Sequence, residues 1–423
     1  MTDFLPYAVI LLGLIILIGF FNEKKTKLTY EIALMLIAAV LGGIVCVADL
    51  LIKDQGISNI LYDIQMFDLE DFLMKGVLCF MLFAGSCHMK LADFKRLARP
   101  IGVLSILCTL LGAVFYGGLF YGVACLFHLP FNLPMCLMFG SIVSPTDPIA
   151  ATSILNKFGL SKDICFVIEG ESLLNDGVGV ALFVCFSGMV KAQQNAAESF
   201  FIVLFRELFG AALIGTVVTL LCFWLVARIS DQKQRIYVSL FAVALSYTLC
   251  EVFDCSGAIA SVVCGVLFAT FSEREKEKKG SFDLEEFDSF WDIVDNLLNS
   301  VLYVIMGLSF TRILQMPSVI LLSLAAIVCN LLARGGSVFC STFFMGDLPD
   351  SYDRKSFTEL FTWAGLKGGL CIALAMSTTS MMSTEDYHIV LGCTYAIVFF
   401  TTILQGLSIK KVYAAITAKM QNK

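Results

Sequence analysis

Apolar runs of about 20 residues or more follow one another along almost all of this 423-residue chain, each long enough for a helix to cross ~30 Å of hydrocarbon. Composition agrees: 58% of residues are hydrophobic, 15% are charged and mean hydropathy is +0.85, too little charge to wet the surface of a soluble chain this long. The expected class is an all-α polytopic membrane protein with lipid as its main solvent and partner. Runs bounded by charge, Pro or polar clusters give about thirteen spans, near 4–21, 30–51, 70–89, 100–127, 133–156, 162–190, 197–228, 235–253, 256–272, 287–313, 317–345, 356–382 and 386–409. The run Phe4–Phe21 lacks a basic n-region and an A-x-A cleavage site, so it reads as the first span and not as a signal peptide.

Charge is informative loop by loop. Alternate loops carry Lys24, Lys25 and Lys27; Lys90, Lys95, Arg96 and Arg99; Lys157 and Lys162; Arg228, Lys233 and Arg235; Arg274, Lys276, Lys278 and Lys279; and Arg354 and Lys355. Lys410, Lys411, Lys419 and Lys423 follow the last span, whereas the other loops hold only Lys53, Lys191 and Arg312. The positive-inside rule then puts the N-terminus outside and the C-terminus in the cytoplasm, across an inner membrane. A missed helix would reverse the sign of every later loop, and no reversal occurs. Arg206-Glu207, early in the seventh run, can lie at headgroup depth. No loop has the length of a soluble domain and only a short tail is expected, so neither a large regulatory domain nor a soluble partner is implied.

Several polar residues fall where lipid should exclude them. A charge near the middle of a span costs roughly 3 kcal/mol on insertion scales, so it needs a partner or a function. In span five, Ser144-Pro145-Thr146-Asp147-Pro148 places two prolines in mid-membrane, which removes two backbone donors and interrupts the helix. Backbone freed at that depth is tolerated where protein or a water-lined cavity covers it, as in transporter sites. Span six carries Glu169-Gly170-Glu171-Ser172-Leu173-Leu174-Asn175-Asp176-Gly177. Helical spacing puts Ser172 and Asp176 on one face and Glu171 and Asn175 on its neighbour. The first face offers oxygen ligands to a hard cation; the second needs a cationic partner, and Arg334 in span eleven is the best candidate. Glu169, two turns before Asp176, reads either as an entry-funnel carboxylate or as a solvated helix start.

The second half repeats the plan. An odd connecting helix between six-span halves makes them inverted repeats, and span twelve, the counterpart of span five, is interrupted by Gly365-Leu366-Lys367-Gly368-Gly369. Lys367 there can balance the negative ends of helices that meet at the crossing. Asp292, Asp295 and Asn299 recur near the start of span ten, with an interfacial helix entry the preferred reading for Asp292. Glu251 and Asp254 read as solvated loop residues. His88, His128 and His388 lie near span ends without ligand spacing, so each reads as an ordinary interfacial histidine, with a pH-sensing role open for His88. The sixteen cysteines read as small apolar filler, with no metal or disulfide pattern. No basic face suggests nucleic acid, and no cofactor is expected.

Val167-Ile168-Glu169-Gly170-Glu171-Ser172-Leu173-Leu174-Asn175-Asp176-Gly177 resembles the signature of the monovalent cation:proton antiporter superfamily, in its NhaP-like sodium/proton branch. Ser144–Pro148 resembles that family's fifth span, Phe290-Trp291-Asp292 running on to Asn296-Leu297-Leu298-Asn299-Ser300 its tenth, Leu331–Arg334 its eleventh and Trp363–Gly368 its twelfth. The resemblance implies Asp176 as the carboxylate that binds cation or proton in competition. Ser172, Glu171 and the backbone around Thr146 would help to coordinate the ion, with Na+ at Asp176, Ser172 and Thr146. Asp147 would belong to the helix crossing, and Arg334 would pair with Glu171 and Asn175.

It also implies a homodimer and an elevator motion. Dimerisation helices would occupy 1–99 and 234–315, core helices 100–190 and 316–412, a linking helix 191–233 and a short cytoplasmic tail 413–423. Two departures stand out: Lys367 where many relatives have Arg, and Ala84 where many carry Glu. Because position 175 is Asn and not a second Asp, the expected activity is electroneutral one-for-one exchange of Na+ (or Li+) for H+. A K+/H+ exchanger on the same fold is the nearest alternative. A cation channel fits the paired breaks less well, and an intramembrane enzyme built on Ser172 and the histidines is disfavoured by where the histidines lie.

Overall fold

A computed structural model describes residues 4–52, 69–191, 200–279, 282–310 and 319–421. Lys53, Arg312, Lys423 and the stretches 197–199, 311–313 and 317–318 of three expected spans lie outside the described residues. Among the described residues all regular structure is helical. In chain order the helices are α1 (Phe4–Phe21), α2 (Tyr30–Ile52), α3 (Leu78–Ser86, entered through a π-helical stretch Asp71–Val77), α4 (Leu91–Arg96), α5 (Ala98–Leu126), α6 (Leu133–Val143), α7 (Ile149–Asn156) and α8 (Lys162–Lys191). They continue as α9 (Phe200–Val226), α10 (Gln232–Val252), α11 (Gly257–Lys279), α12 (Leu284–Ser309), α13 (Ile320–Met345), α14 (Arg354–Ala364), α15 (Gly369–Met376) and α16 (Thr384–Met420).

Among the described residues nine helices are long and apolar enough to cross a membrane, ten if the bent pair α14–α15 counts as one span. Length and apolarity alone therefore do not reach the thirteen spans read from the sequence. The segments that fall short are α3, whose entry carries Asp71 and Lys75, the interrupted α6–α7, and α12, whose first half is acidic.

Both interruptions follow from local chemistry. Helix α6 starts at Asn132, whose side chain accepts from the Met135 amide at 2.9 Å, and it ends where Pro145 cannot supply a helical donor. Helix α14 starts at Asp353, which accepts from the Ser356 amide, and ends before Gly365; α15 resumes at Gly369 after a bend of 62°. The freed backbone is reused across the gap, with the Asp147 amide donating to the Leu366 carbonyl at 2.9 Å.

Helices α5, α6, α8 and α13 pack together, and α2, α3 and α9–α12 form a second group; α8 touches α11 and α3 of that group. At one contact Gly177 lies against Ile259, with no room for a Cβ between them. Glu207, on the π-helical stretch Arg206–Gly210 of α9, is buried against protein at 5% exposure. The segment from residue 413 is helical to Gln421, and Tyr413 and Ile416 bury against α7 and α14.

Candidate ion-binding site

The site forms where the two broken helices cross beside the middle of α8. Asp147 is held from three directions. Its amide bonds Leu366, one carboxylate oxygen accepts from the Ile149 amide at 3.0 Å, and the other accepts from the Tyr303 hydroxyl at 2.6 Å. The contact with Ile149 puts negative charge at the start of α7, where free amides and the helix dipole favour it. Lys367 does the opposite at the end of α6: its ammonium, 2% exposed, donates to the Ser144 carbonyl at 2.9 Å. Its backbone is fixed by Thr401 and Thr402 of α16, at 3.1 and 3.0 Å. Gly368 is required by close approach, since a Cβ there would lie 2.8 Å from an Asp147 carboxylate oxygen.

Helix α8 contributes its polar residues in distinct directions. Glu171 and Arg334 form a buried ion pair at 2.6 Å. The guanidinium also donates to the Phe361 carbonyl at 3.3 Å and contacts the Cys108 sulfur at 3.6 Å. Asn175 turns elsewhere: its amide donates to the Thr146 hydroxyl at 2.7 Å and accepts from the Thr146 amide at 3.2 Å. The expected grouping of Glu171, Asn175 and Arg334 is therefore divided, because the freed amide of Thr146 is the nearer unsatisfied partner for Asn175. Thr146 and Ser172 share a hydrogen bond at 3.0 Å.

A cavity of about 430 Å³ reaches this crossing. Glu169, Leu173 and Asp176 line it along one stripe of α8, opposite Thr146 and Asp147, and it extends past Glu31 and Asp295 to the exposed His88 and Asn156. Among the described residues the Asp176 carboxylate has no hydrogen bond or ion pair, while those of Glu171 and Asp147 are engaged. Ser172, 2% exposed, lies behind Thr146. His88 sits 3.1 Å from Asp292 and 4.0 Å from Asp288 at the rim. Tyr303, Glu31, Thr401 and Thr402 were not singled out from the sequence. Tyr303 could have been, since it extends the helical spacing of Asn296, Asn299 and Ser300.

Interrupted helices meeting at buried charges, with one uncommitted carboxylate facing a cavity, define a multi-pass membrane transporter. The chain matches the transmembrane sodium/hydrogen exchanger family over residues 9–415, and it belongs to that family. It is 29% identical to the Na(+)/H(+) antiporter NhaP of Pseudomonas aeruginosa over 95% of its length and 96% of the relative's. It is 30% identical to the antiporter NhaH of Halobacillus dabanensis over 71% and 74% of the two chains. The sodium proton antiporter MjNhaP1 of Methanocaldococcus jannaschii shares the fold, with a TM-score of 0.75 over 99% of both chains at 19% identity. These relatives are transporters rather than enzymes.

Proposed function

We propose that this chain exchanges Na+ or Li+ for H+, one for one and without net charge movement, with Asp176 binding cation and proton in competition. The single observation that carries this is Asp176 itself: a carboxylate on the cavity wall with no partner among the described residues, beside neighbours whose charges are already engaged. Thr146 and Ser172 supply adjacent oxygens, suited to a hard monovalent cation. Antiport follows if only the loaded or protonated site can cross. The core helices of 100–190 and 316–412 would move as an elevator against the helices of 1–99 and 234–315, which would also form a homodimer.

The orientation in the cytoplasmic membrane, N-terminus outside, is supported by the basic loops. The cavity mouth is supported as cytoplasmic by the same rule, since His88 and Asn156 adjoin Lys90 and Lys157. The test is dequenching of a pH dye in everted vesicles, with Na+, Li+ and K+ compared at several pH values. Asp176→Asn is expected to abolish the response, and full retention would overturn the proposal. Dequenching by K+ alone would reassign the ion.

A further inference from the structure

A second cavity, of about 360 Å³, lies further along the same stripe of α8. Asp176 belongs to the first cavity, whereas Val180 and Val184, one and two turns on, line the second. Leu78 of α3, 4% exposed, walls both, so an apolar partition separates them. The second cavity is acidic. Exposed Glu251 and Asp254 stand at its rim, and Glu207 of α9 lines it at 5% exposure. The Glu207 carboxylate has no hydrogen bond or ion pair among the described residues, although it is as buried as many core side chains. A buried, unengaged carboxylate facing a cavity costs free energy unless a proton or a cation neutralises it. Arg206 also lines the cavity, and its charge acts on Glu207 and offsets it in part.

We propose that Glu207 forms a second cation site, the outer station of the transport path, which takes a monovalent alkali cation from the face opposite the first cavity. The inference rests on the antiport reading for its role in transport, but binding at Glu207 can be measured without it. Oxygen ligands select a hard cation, and a single buried charge matches one positive charge. Leu78 then separates the outer station from Asp176 until the helices rearrange.

Two measurements on the full-length protein test this. In detergent, NaCl is compared with choline chloride for its effect on the melting temperature of Asp176→Asn, where the inner carboxylate is already removed. A Na+-dependent rise that disappears in Asp176→Asn/Glu207→Gln and returns in Asp176→Asn/Glu207→Asp supports the site. No rise, or an equal rise in both, overturns it, and a rise with MgCl2 but not NaCl overturns the monovalent assignment. In right-side-out vesicles Glu207→Gln is expected to raise the KM for external Na+ about tenfold, with the KM in everted vesicles unchanged. An equal rise on both faces, or none, overturns the role in the path. Loss of antiport in the parent protein would sink the functional reading alone and leave the melting result standing.

Discussion

The amide of Asp147 donates to the carbonyl of Leu366 at 2.9 Å, so the gap in one interrupted helix is closed by the gap in the other. Each break would leave backbone groups unpaired in a medium without water, at several kcal/mol apiece. Crossing solves both problems at once. It also brings the start of α7 and the end of α6 beside Asp147 and Lys367, whose charges have the signs those ends favour.

Removing the Lys367 charge should therefore act on the crossing. Lys367→Met leaves the Ser144 carbonyl without its donor, at an expected cost of about 1–3 kcal/mol in stability. Lys367→Arg keeps the charge and should lose less. Thermal unfolding in detergent ranks the two, and equal effects would show that charge is immaterial there.

Gly368→Ala should be worse than its single added carbon suggests. The new Cβ would meet the Asp147 carboxylate at 2.8 Å, and moving that group disturbs its bonds to Ile149 and Tyr303. Overpacking of this kind costs about 1–3 kcal/mol. Transport rate and melting temperature should fall together.

Tyr303→Phe removes one donor to Asp147 and little volume. Hydrogen bonds to charged groups are worth about 1.5–3 kcal/mol, so a drop in exchange rate of about tenfold is expected, with normal folding by gel filtration. An unchanged rate would mean that the hydroxyl does not position Asp147.

The Glu171–Arg334 pair is buried at both ends. Either Glu171→Leu or Arg334→Met should cost about 3–5 kcal/mol by leaving a lone buried charge, while the double variant recovers much of it. A double-mutant cycle in melting experiments reads the coupling, and additive losses would deny it.

Much of this architecture was legible before any coordinates, because lipid makes polarity conspicuous. Pro145, Pro148 and the glycines around Lys367 mark the breaks, since few contexts admit them inside an apolar run. Arg334 was matched to Glu171 because charge must be balanced at depth. Asn175 was harder: a helical wheel gives a side chain's direction, but the amide could serve either of two neighbours, and Thr146 had a free backbone donor to offer. Tyr303 continues the helical spacing of Asn296, Asn299 and Ser300, but the sequence does not show Asp147 as the destination of its hydroxyl. Lys410 and Lys411 mark the end of the last apolar run, and the packing of Tyr413 and Ile416 beyond them on α7 and α14 has no signal in the periodicity of that run.

Gly177 and Ile259 carry a further consequence for motion. A smooth pair of helix surfaces can slide by any amount, but a notch filled by a neighbouring side chain behaves as a detent. Under the proposed elevator motion α8 would travel past α11, and Ile259 would have to climb out of the hollow at Gly177, next to Asp176, before the site could move. Displacement would then come in whole steps and not as continuous drift. The spacing of small residues along α8 would set the stroke length, and filling the hollow would change where the carrier comes to rest.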